Sequence, residues 1–503
     1  MPAVRHQNPG RSLYNVPSTA LRYDIRRALF YGGLNASIAA QVSSRASGGK
    51  LVSILDKSGR SETKQRSSAV MSPSRTEAAD RLRVVVVGAG LGGLAAAIAI
   101  HRTGIADVQV LEAASKLGEL GAGIQVSPNC SRLLIRWGVG KYLDDKVVLP
   151  RYGRVVRWQN GEVLSQAPMM PQIQEKYGFP HWHVHRADLH EALRKTVEDL
   201  KIPILINAKV VAADVDEASV SLHTGEKIDC DFIVGADGLR STMREVVLQG
   251  EEAAPPFVTG DYAYRFTVPT EDMADDPVLA DCVKVPMAIG WWGPRMHVVG
   301  YKLRSETIFN VVAVFPDDGT MDNTYKMEGE IEHLKELYDG WCPQVKALIE
   351  RARPGTVTKW KLMDLPPLSR WHRGKLVLIG DACHPMLPYQ AQGASQAIED
   401  AAALAQCLRQ LPLSDVGSVF QQLRYSRATQ IQKYAREQRG KNHMLDGPEQ
   451  EARDAAMKDA SGGARAAYAW SWAAEDGEPA KPWNEGLFGY DAEEEALKRI
   501  RKL

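Results

Sequence analysis

Three short segments of the chain carry residue types whose spacing suits binding of a dinucleotide. The first, Gly88-Ala89-Gly90-Leu91-Gly92-Gly93, has the spacing GxGxxG, follows the run Val84–Val87 and opens an Ala-rich stretch. Gly88 permits a tight turn, Gly90 lets the backbone approach a pyrophosphate, and Gly93 lets the next helix pack close to the strand. A helix starting there presents unpaired N–H groups and a positive dipole end to phosphate. Glu112 follows Gly93 by 19 residues, at the end of a second apolar run. A carboxylate in that place accepts hydrogen bonds from ribose hydroxyls. The alternative is a glycine-rich turn without a ligand, but strand, helix and Glu112 in register favour the nucleotide.

The second segment is Gly235-Ala236-Asp237-Gly238-Leu239-Arg240-Ser241, after the apolar Phe232–Val234. Taken alone, its Asp-Gly reads equally well as a turn. The third is Gly380-Asp381-Ala382-Cys383-His384-Pro385, followed by Pro388 and Gln392-Gly393-Ala394. Asp381 at a strand end suits a ribityl or ribose hydroxyl, and the helix opening at Gly393 brings a positive dipole end to an anionic group. Cys383 and His384 read as packing residues beside the ligand rather than as a nucleophile and its base.

Elements must hold these segments in place. Val84–Val87 reads as a buried parallel strand, Leu91–His101 as a helix and Val108–Leu111 as a second strand, together a βαβ unit. Residues 200–234 read as short strands. Residues 258–315 form a sheet-rich block with strands at Asp261–Val268, Met296–Leu303 and Thr307–Phe315. Lys375–Ile379 is a further strand, Gly393–Leu411 a helix, and Ser418–Asn442 a long amphipathic helix. Residues 446–503 form a C-terminal tail that pattern alone does not place.

A chain of 503 residues is long enough for two to four domains at roughly 100–200 residues each. Its 62 basic and 61 acidic residues leave a net charge of +1, so no bulk charge draws it to nucleic acid. Six scattered cysteines without a CxxC pair argue against a metal site or a disulfide framework and suit a reducing compartment. The apolar run Val84–Ile100 is broken by glycines and falls short of the roughly 20 residues that span a bilayer. Residues 1–80 differ from the rest: 12 Arg/Lys against 5 Asp/Glu give +7, leaving −6 for the remainder. Ser-rich and without apolar period, they read as a disordered basic leader. Two origins fit, a dispensable extension with the true start at Met71 or a mitochondrial transit peptide. The expected location is cytoplasmic, with the mitochondrion as the alternative.

The three segments in this order and spacing resemble the class A flavoprotein monooxygenases, within them the salicylate-hydroxylase-like group common in fungi. The matching pieces also include 121–129 (GAGIQVSPN) and 185–190 (HRADLH), and the resemblance runs from about 83 to 445. Ala391 stands where bacterial members more often carry Gly. The resemblance implies an α/β fold in which a glutathione-reductase-type, Rossmann-like FAD domain (81–258, with some substrate-domain strands within it, and 366–445) is interleaved with a β-sheet-containing substrate domain (259–365). It implies bound FAD, transient NAD(P)H and O2, and hydroxylation of an electron-rich aromatic ring. By position, Gly88, Gly90, Gly93 and Glu112 hold the ADP half. Ala122, Gly123 and Gln125 lie near the flavin, and Arg186 contacts FAD. Asp237 serves the FAD pyrophosphate and NAD(P)H, and Asp381, Gly393 and Ala394 hold the ribityl chain and pyrimidine edge.

The substrate residues expected from the sheet block are Arg265, at a position that faces the ring in related fungal phenol hydroxylases, with Tyr301 and His297 to hold or deprotonate a phenol. A permanent cation favours the phenolate, a better nucleophile than the phenol. The alternative is that Tyr264 and Tyr301 are half-buried sheet tyrosines and Arg265 a structural charge. Trp291 and Trp292 line the pocket or belong to the core. The expected substrate is a phenol or aromatic acid, hydroxylated with or without loss of a carboxyl group, in secondary metabolism. The competing readings are a terpenoid alkene epoxidase, an NAD-linked dehydrogenase using the first segment alone, and a non-catalytic FAD-binding protein.

Overall fold

The structure is a computed structural model describing residues 81–118, 123–249, 255–321, 324–459, 471–472 and 481–503. The expectations for residues 1–80 and for Ala122 lie outside these residues.

Four consecutive valines make a strand that is buried on both faces. Leu82–Val87 is central in a six-stranded sheet, with Ala106–Leu111 and then Ile204–Leu205 on one side. On the other side stand Phe232–Gly235, Leu376–Leu378 and His372–Arg373. All neighbours pair parallel except the last two strands. Burial on both sides is why the strands read as continuous apolar runs rather than alternating ones. The helix Leu91–Arg102 packs beside the helix Gly393–Gln410, and a Cβ on Gly92 would stand 3.2 Å from the Cβ of Ala397. The alanines of both helices make that close approach feasible.

A second sheet has eight strands, in the order Lys326–Glu328, Thr358–Asp364, Phe257–Pro269, Ile308–Pro316, Met296–Leu303, Met287–Gly293, Tyr152–Arg157 and Val163–Pro168. The last two come from within the first dinucleotide-domain span, so the two folds are interleaved along the chain. The sheet alternates as a pleated surface must. One face carries Tyr262, Tyr264, Phe266, Trp291, Phe309 and Phe315 into a core completed by the helices Ile331–Leu337 and Pro343–Glu350. Trp291 therefore belongs to the core, not to a pocket. Trp292, on the other face, packs with Leu164 and Met457.

The opposite face is built differently. Registers place Ala263, Val314 and His297 in one row, Arg265, Val312 and Val299 in the next, and Thr267, Asn310 and Tyr301 in a third. Ala263, Val314 and Leu362 on this face pack against Leu387 and against Ala435 of the long helix Leu413–Asn442. Described residues after that helix are folded onto the rest. The helix Ala492–Ile500 packs on Gly393–Gln410, and Arg136 forms ion pairs with Asp491 at 2.6 Å and Glu493 at 2.5 Å. Among the described residues no helix is long and apolar enough to cross a membrane.

Candidate active site

The glycine loop has the shape its spacing requires. Gly88 has φ +105°, and a Cβ there would lie 2.4 Å from the carbonyl oxygen of Ala236. At Gly93 a Cβ would lie 1.9 Å from the carbonyl oxygen of Gly88. Gly90 is different: a Cβ would meet nothing within 4 Å. Two glycines are thus consumed by packing, while the third faces open space at the N-terminus of a 12-residue helix with no acidic residue in its first turn. Glu112 reaches this loop. Its Oε2 accepts from Ala89 N–H and its Oε1 from Ala114 N–H, both at 2.8 Å. His190 also bonds the loop, its Nε2 lying 2.8 Å from the Ala89 carbonyl oxygen. The HRADLH match contained His190, but nothing in its spacing marks it as a partner of a loop a hundred residues earlier.

Asp237 works mainly on its own turn. Its Oδ1 accepts from Ser241 Oγ at 2.5 Å and its Oδ2 from Met243 N–H at 3.0 Å, and burial raises its pKa. These bonds fix the Gly235–Leu239 loop, whose Ala236 carbonyl oxygen lies against Gly88. Asp381 stands exposed in a single 3-10 turn after the strand Leu376–Leu378. Gly393 opens an 18-residue helix with no acidic residue in its first turn and no side-chain cap, and Ala394 follows in that turn. Just before it, Ala391 has φ +52°, the left-handed region, which explains why Gly suits this position.

Beneath that helix start lies a charged layer that pattern reading missed. Glu399 accepts from Arg427 Nε at 2.6 Å, Arg424 at 2.7 Å and Asn129 Nδ2 at 2.7 Å. Asp400 accepts from Arg424 Nε at 2.7 Å, contacts His384 Nε2 at 2.6 Å and accepts from Gly380 N–H at 2.9 Å. Glu399 and Asp400 are fully buried. The adjacent cations overcome desolvation and hold Asp400 at about 2. This layer ties the turn at 380, the segment at 129 and the helix at 393 together. His384 is a member of it, and burial pushes the Cys383 thiol well above its ordinary value, so neither is a nucleophile–base pair.

Gly123 joins the two folds. Its N–H donates to Asn310 Oδ1 at 2.9 Å, and a Cβ on it would stand 2.5 Å from the Tyr301 ring. Gln125 follows on the same strand and pairs in register with His183 of Trp182–His185. The His183 ring packs on Tyr301, centroids 4.6 Å apart. Arg186 begins the helix that follows, and its charge acts on Arg265. Burial holds the Tyr301 hydroxyl neutral, with the charge of Arg265 acting in the opposite direction. Tyr301 is therefore a hydrogen-bonding group and not a base at neutral pH.

Arg265 is the unbalanced charge of this face. Burial and then Arg186 lower its pKa, against the effect of Tyr301, but a guanidinium remains protonated. Its Nε is shut off from solvent without an acceptor, and it packs 5.6 Å from the Trp360 ring. No carboxylate pairs with it among the described residues. His297 shares the face but stands two rows from Tyr301, bonded through Nδ1 to His443 Nε2 at 2.7 Å. The three sequence candidates thus share one surface, with His297 and Tyr301 bracketing the row of Arg265. The structure adds Asn310, His183 and His443, which no motif marks.

These residues fit FAD. The open face at Gly90, the uncapped helix at Gly393, the exposed Asp381 and Glu112 at the loop supply donors for anions and acceptors for hydroxyls. Comparison with known proteins agrees. Residues 81–413 match the family described as "FAD binding domain". The chain is 38% identical over 419 residues to the FAD-dependent monooxygenase OpS4 of Beauveria bassiana, covering 82% of this chain and 95% of that one. It is 36% identical over 360 residues to 6-hydroxynicotinate 3-monooxygenase of Pseudomonas fluorescens, covering 70% and 89%. Among solved structures, a salicylate hydroxylase substrate complex superposes with TM-score 0.68 at 23% identity, covering 84% of this chain and 98% of that one, a likeness of fold.

Proposed function

Since the chain belongs to the FAD-binding family of class A flavoprotein monooxygenases and is an FAD-dependent aromatic hydroxylase, we propose that it takes a phenol or aromatic acid as its anion against Arg265. Bound FAD, reduced by NAD(P)H, supplies activated oxygen, one atom of which enters the ring while the other leaves as water. The observation that carries the reading is the half-buried Arg265, whose Nε is shut off from solvent without an acceptor and whose guanidinium has no carboxylate partner among the described residues. A partly desolvated cation of this kind is suited to an anionic ligand.

The chain's residues divide the work. Gly88, Gly90, Gly93 and Glu112 hold the ADP half of the cofactor. Arg186, Asp381, Gly393 and Ala394 hold its ribityl and pyrimidine parts, with Asp237 fixing the neighbouring turn. Gly123 and Gln125 form the strip between cofactor and substrate. Tyr301, kept neutral, orients the substrate oxygen by a hydrogen bond. His297, neutral at rest, accepts the hydrogen bond of the phenolic hydroxyl; because burial opposes its protonation, it takes the proton only as Arg265 stabilises the phenolate. Removing that proton raises the electron density of the ring carbon that is hydroxylated.

We place the substrate among aromatic acids with a hydroxyl next to a carboxylate, in fungal secondary metabolism. Hydroxylation at the carboxylate-bearing carbon then releases CO2. The test is NAD(P)H oxidation by the holoenzyme across salicylate, 4-hydroxybenzoate, 6-hydroxynicotinate and simple phenols, with products followed by mass and CO2. Stimulation by aromatic acids above neutral alkenes is the expected outcome. Stimulation by terpenoid alkenes alone would contradict the reading.

A further inference from the structure

His297 is the candidate base of the proposed reaction, and a neutral imidazole acts as a base only through the nitrogen that lacks a proton. Which nitrogen that is depends on the partner of the other. His297 Nδ1 lies 2.7 Å from His443 Nε2, and both rings are buried. His443 caps the long helix Leu413–Asn442, and its carbonyl oxygen accepts from Arg295 N–H at 3.0 Å at the start of the His297 strand. The ring is therefore fixed at both its backbone and its side chain.

Two neutral imidazoles sharing one hydrogen bond have two arrangements. In one, His443 Nε2–H donates to His297 Nδ1. His443 then carries a lone pair on Nδ1, and His297 carries its proton on Nε2. In the other, His297 Nδ1–H donates to His443 Nε2, His443 carries its proton on Nδ1, and His297 Nε2 is the free base. The charged surroundings decide between them. The carboxylate of Asp261 lies 3.9 Å from His443 Nδ1 and is fully buried. Tyr389 Oη donates to that carboxylate at 2.6 Å, and Arg439 binds both of its oxygens, with Nη2 at 2.6 Å from Oδ1. At 3.9 Å the carboxylate makes no hydrogen bond to Nδ1, which has no other partner, but through space it favours an N–H there over a lone pair. Arg439 keeps His443 neutral by opposing a second proton, and burial drives the ring down to about 3.

We propose that His443 is a positioning residue that, oriented by Asp261, fixes His297 as its Nδ1–H tautomer and so makes His297 Nε2 the basic nitrogen of the site. This assignment rests on the function proposed above only for the use made of that nitrogen. The tautomer itself is a property of the resting protein.

The test is nitrogen NMR of the FAD-loaded enzyme labelled with 15N in its histidine rings, the His297 signals being assigned by their loss in His297→Gln. The expected spectrum at neutral pH shows a protonated Nδ1 and an unprotonated Nε2 for His297. His443→Met should shift His297 to a mixture of tautomers. His443→Gln, whose side-chain carbonyl can accept from Nδ1–H, should restore it. A His297 carrying its proton on Nε2 in the unsubstituted enzyme would overturn the proposal, as would a His297 tautomer unchanged in His443→Met. The reading of His297 as the base fails separately, if His297→Gln leaves hydroxylation unchanged while the tautomer is as assigned.

Discussion

The ring of Tyr301 fills the space in which any side chain at position 123 would stand. A Cβ on Gly123 would come within 2.5 Å of Tyr301 Cε2 and 2.9 Å of its hydroxyl oxygen. The cofactor-side loop and the substrate sheet are therefore fitted to each other at this point. Gly123→Ala should force Tyr301 aside and cost about 1–3 kcal/mol of stability, the usual scale for overpacking. The check is a double-mutant cycle by thermal unfolding: in a Tyr301→Ala background the added methyl should cost clearly less, the remaining clash being with the end of the Leu303 side chain at 2.9 Å. An equal cost in both backgrounds would locate the strain elsewhere.

Two glycines of the first loop, Gly93 and Gly90, should fail in different ways. Gly93→Ala drives a methyl into the Gly88 carbonyl and should destabilise the protein with or without FAD. Gly90→Ala meets no protein atom, so the apoprotein should unfold as before while FAD binds more weakly, about 10-fold for a penalty of about 1.4 kcal/mol. Unfolding of the apoproteins and fluorescence titration with FAD separate the two.

Ala391 holds a left-handed conformation that costs an L-residue about 1–2 kcal/mol. Ala391→Gly removes that strain but gives the unfolded chain more freedom, at about 0.4–1 kcal/mol. The net expectation is a gain of about 0–1.6 kcal/mol in denaturant unfolding, with FAD content unchanged.

The buried charge layer makes the flavin end acid-sensitive. Asp400 is held at about 2 in the folded protein, below the ordinary carboxylate value, by its neighbouring cations. A depressed folded pKa stabilises fully above the unfolded value and is lost as pH falls through the folded one. Asp400 therefore contributes about 2 kcal/mol at neutral pH, lost between about pH 4 and pH 2. FAD release and unfolding should steepen over that window. Asp400→Asn leaves Arg424 short of a counter-charge and should destabilise by about 3–5 kcal/mol at neutral pH.

The sequence made the cofactor frame legible because each part of it is local. A glycine that must turn, a strand that must be apolar and a carboxylate at a strand end are all recorded within 30 residues of one another. Long-range partners are not. Glu399 and Asp400 sit in a helix that reads as Ala-rich and amphipathic, and only the fold brings Arg424 and Arg427 onto them. His443 lies at the end of a helix and far from His297 in the chain, so no spacing links them. The strands Tyr152–Arg157 and Val163–Pro168 carry too few apolar residues to announce that they extend the substrate sheet. Asp237 has the residue type for a ligand contact, yet its oxygens serve its own turn. The tail was opaque because its contacts, such as Arg136 with Asp491, join segments more than 350 residues apart.

Arg265 and Tyr301 are proposed to hold an aromatic anion for oxygen transfer. The direct measurement is the ratio of hydroxylated product to hydrogen peroxide per NAD(P)H consumed, in Arg265→Ala and Tyr301→Phe, with FAD content determined on the same samples. Both variants should keep FAD and still consume NAD(P)H. Hydroxylation should fall by roughly 10²–10³-fold for Arg265→Ala, the scale of a lost electrostatic stabiliser of developing negative charge, with peroxide released instead. Wild-type coupling in both variants, with FAD fully bound, would contradict the assignment of this face as the substrate site.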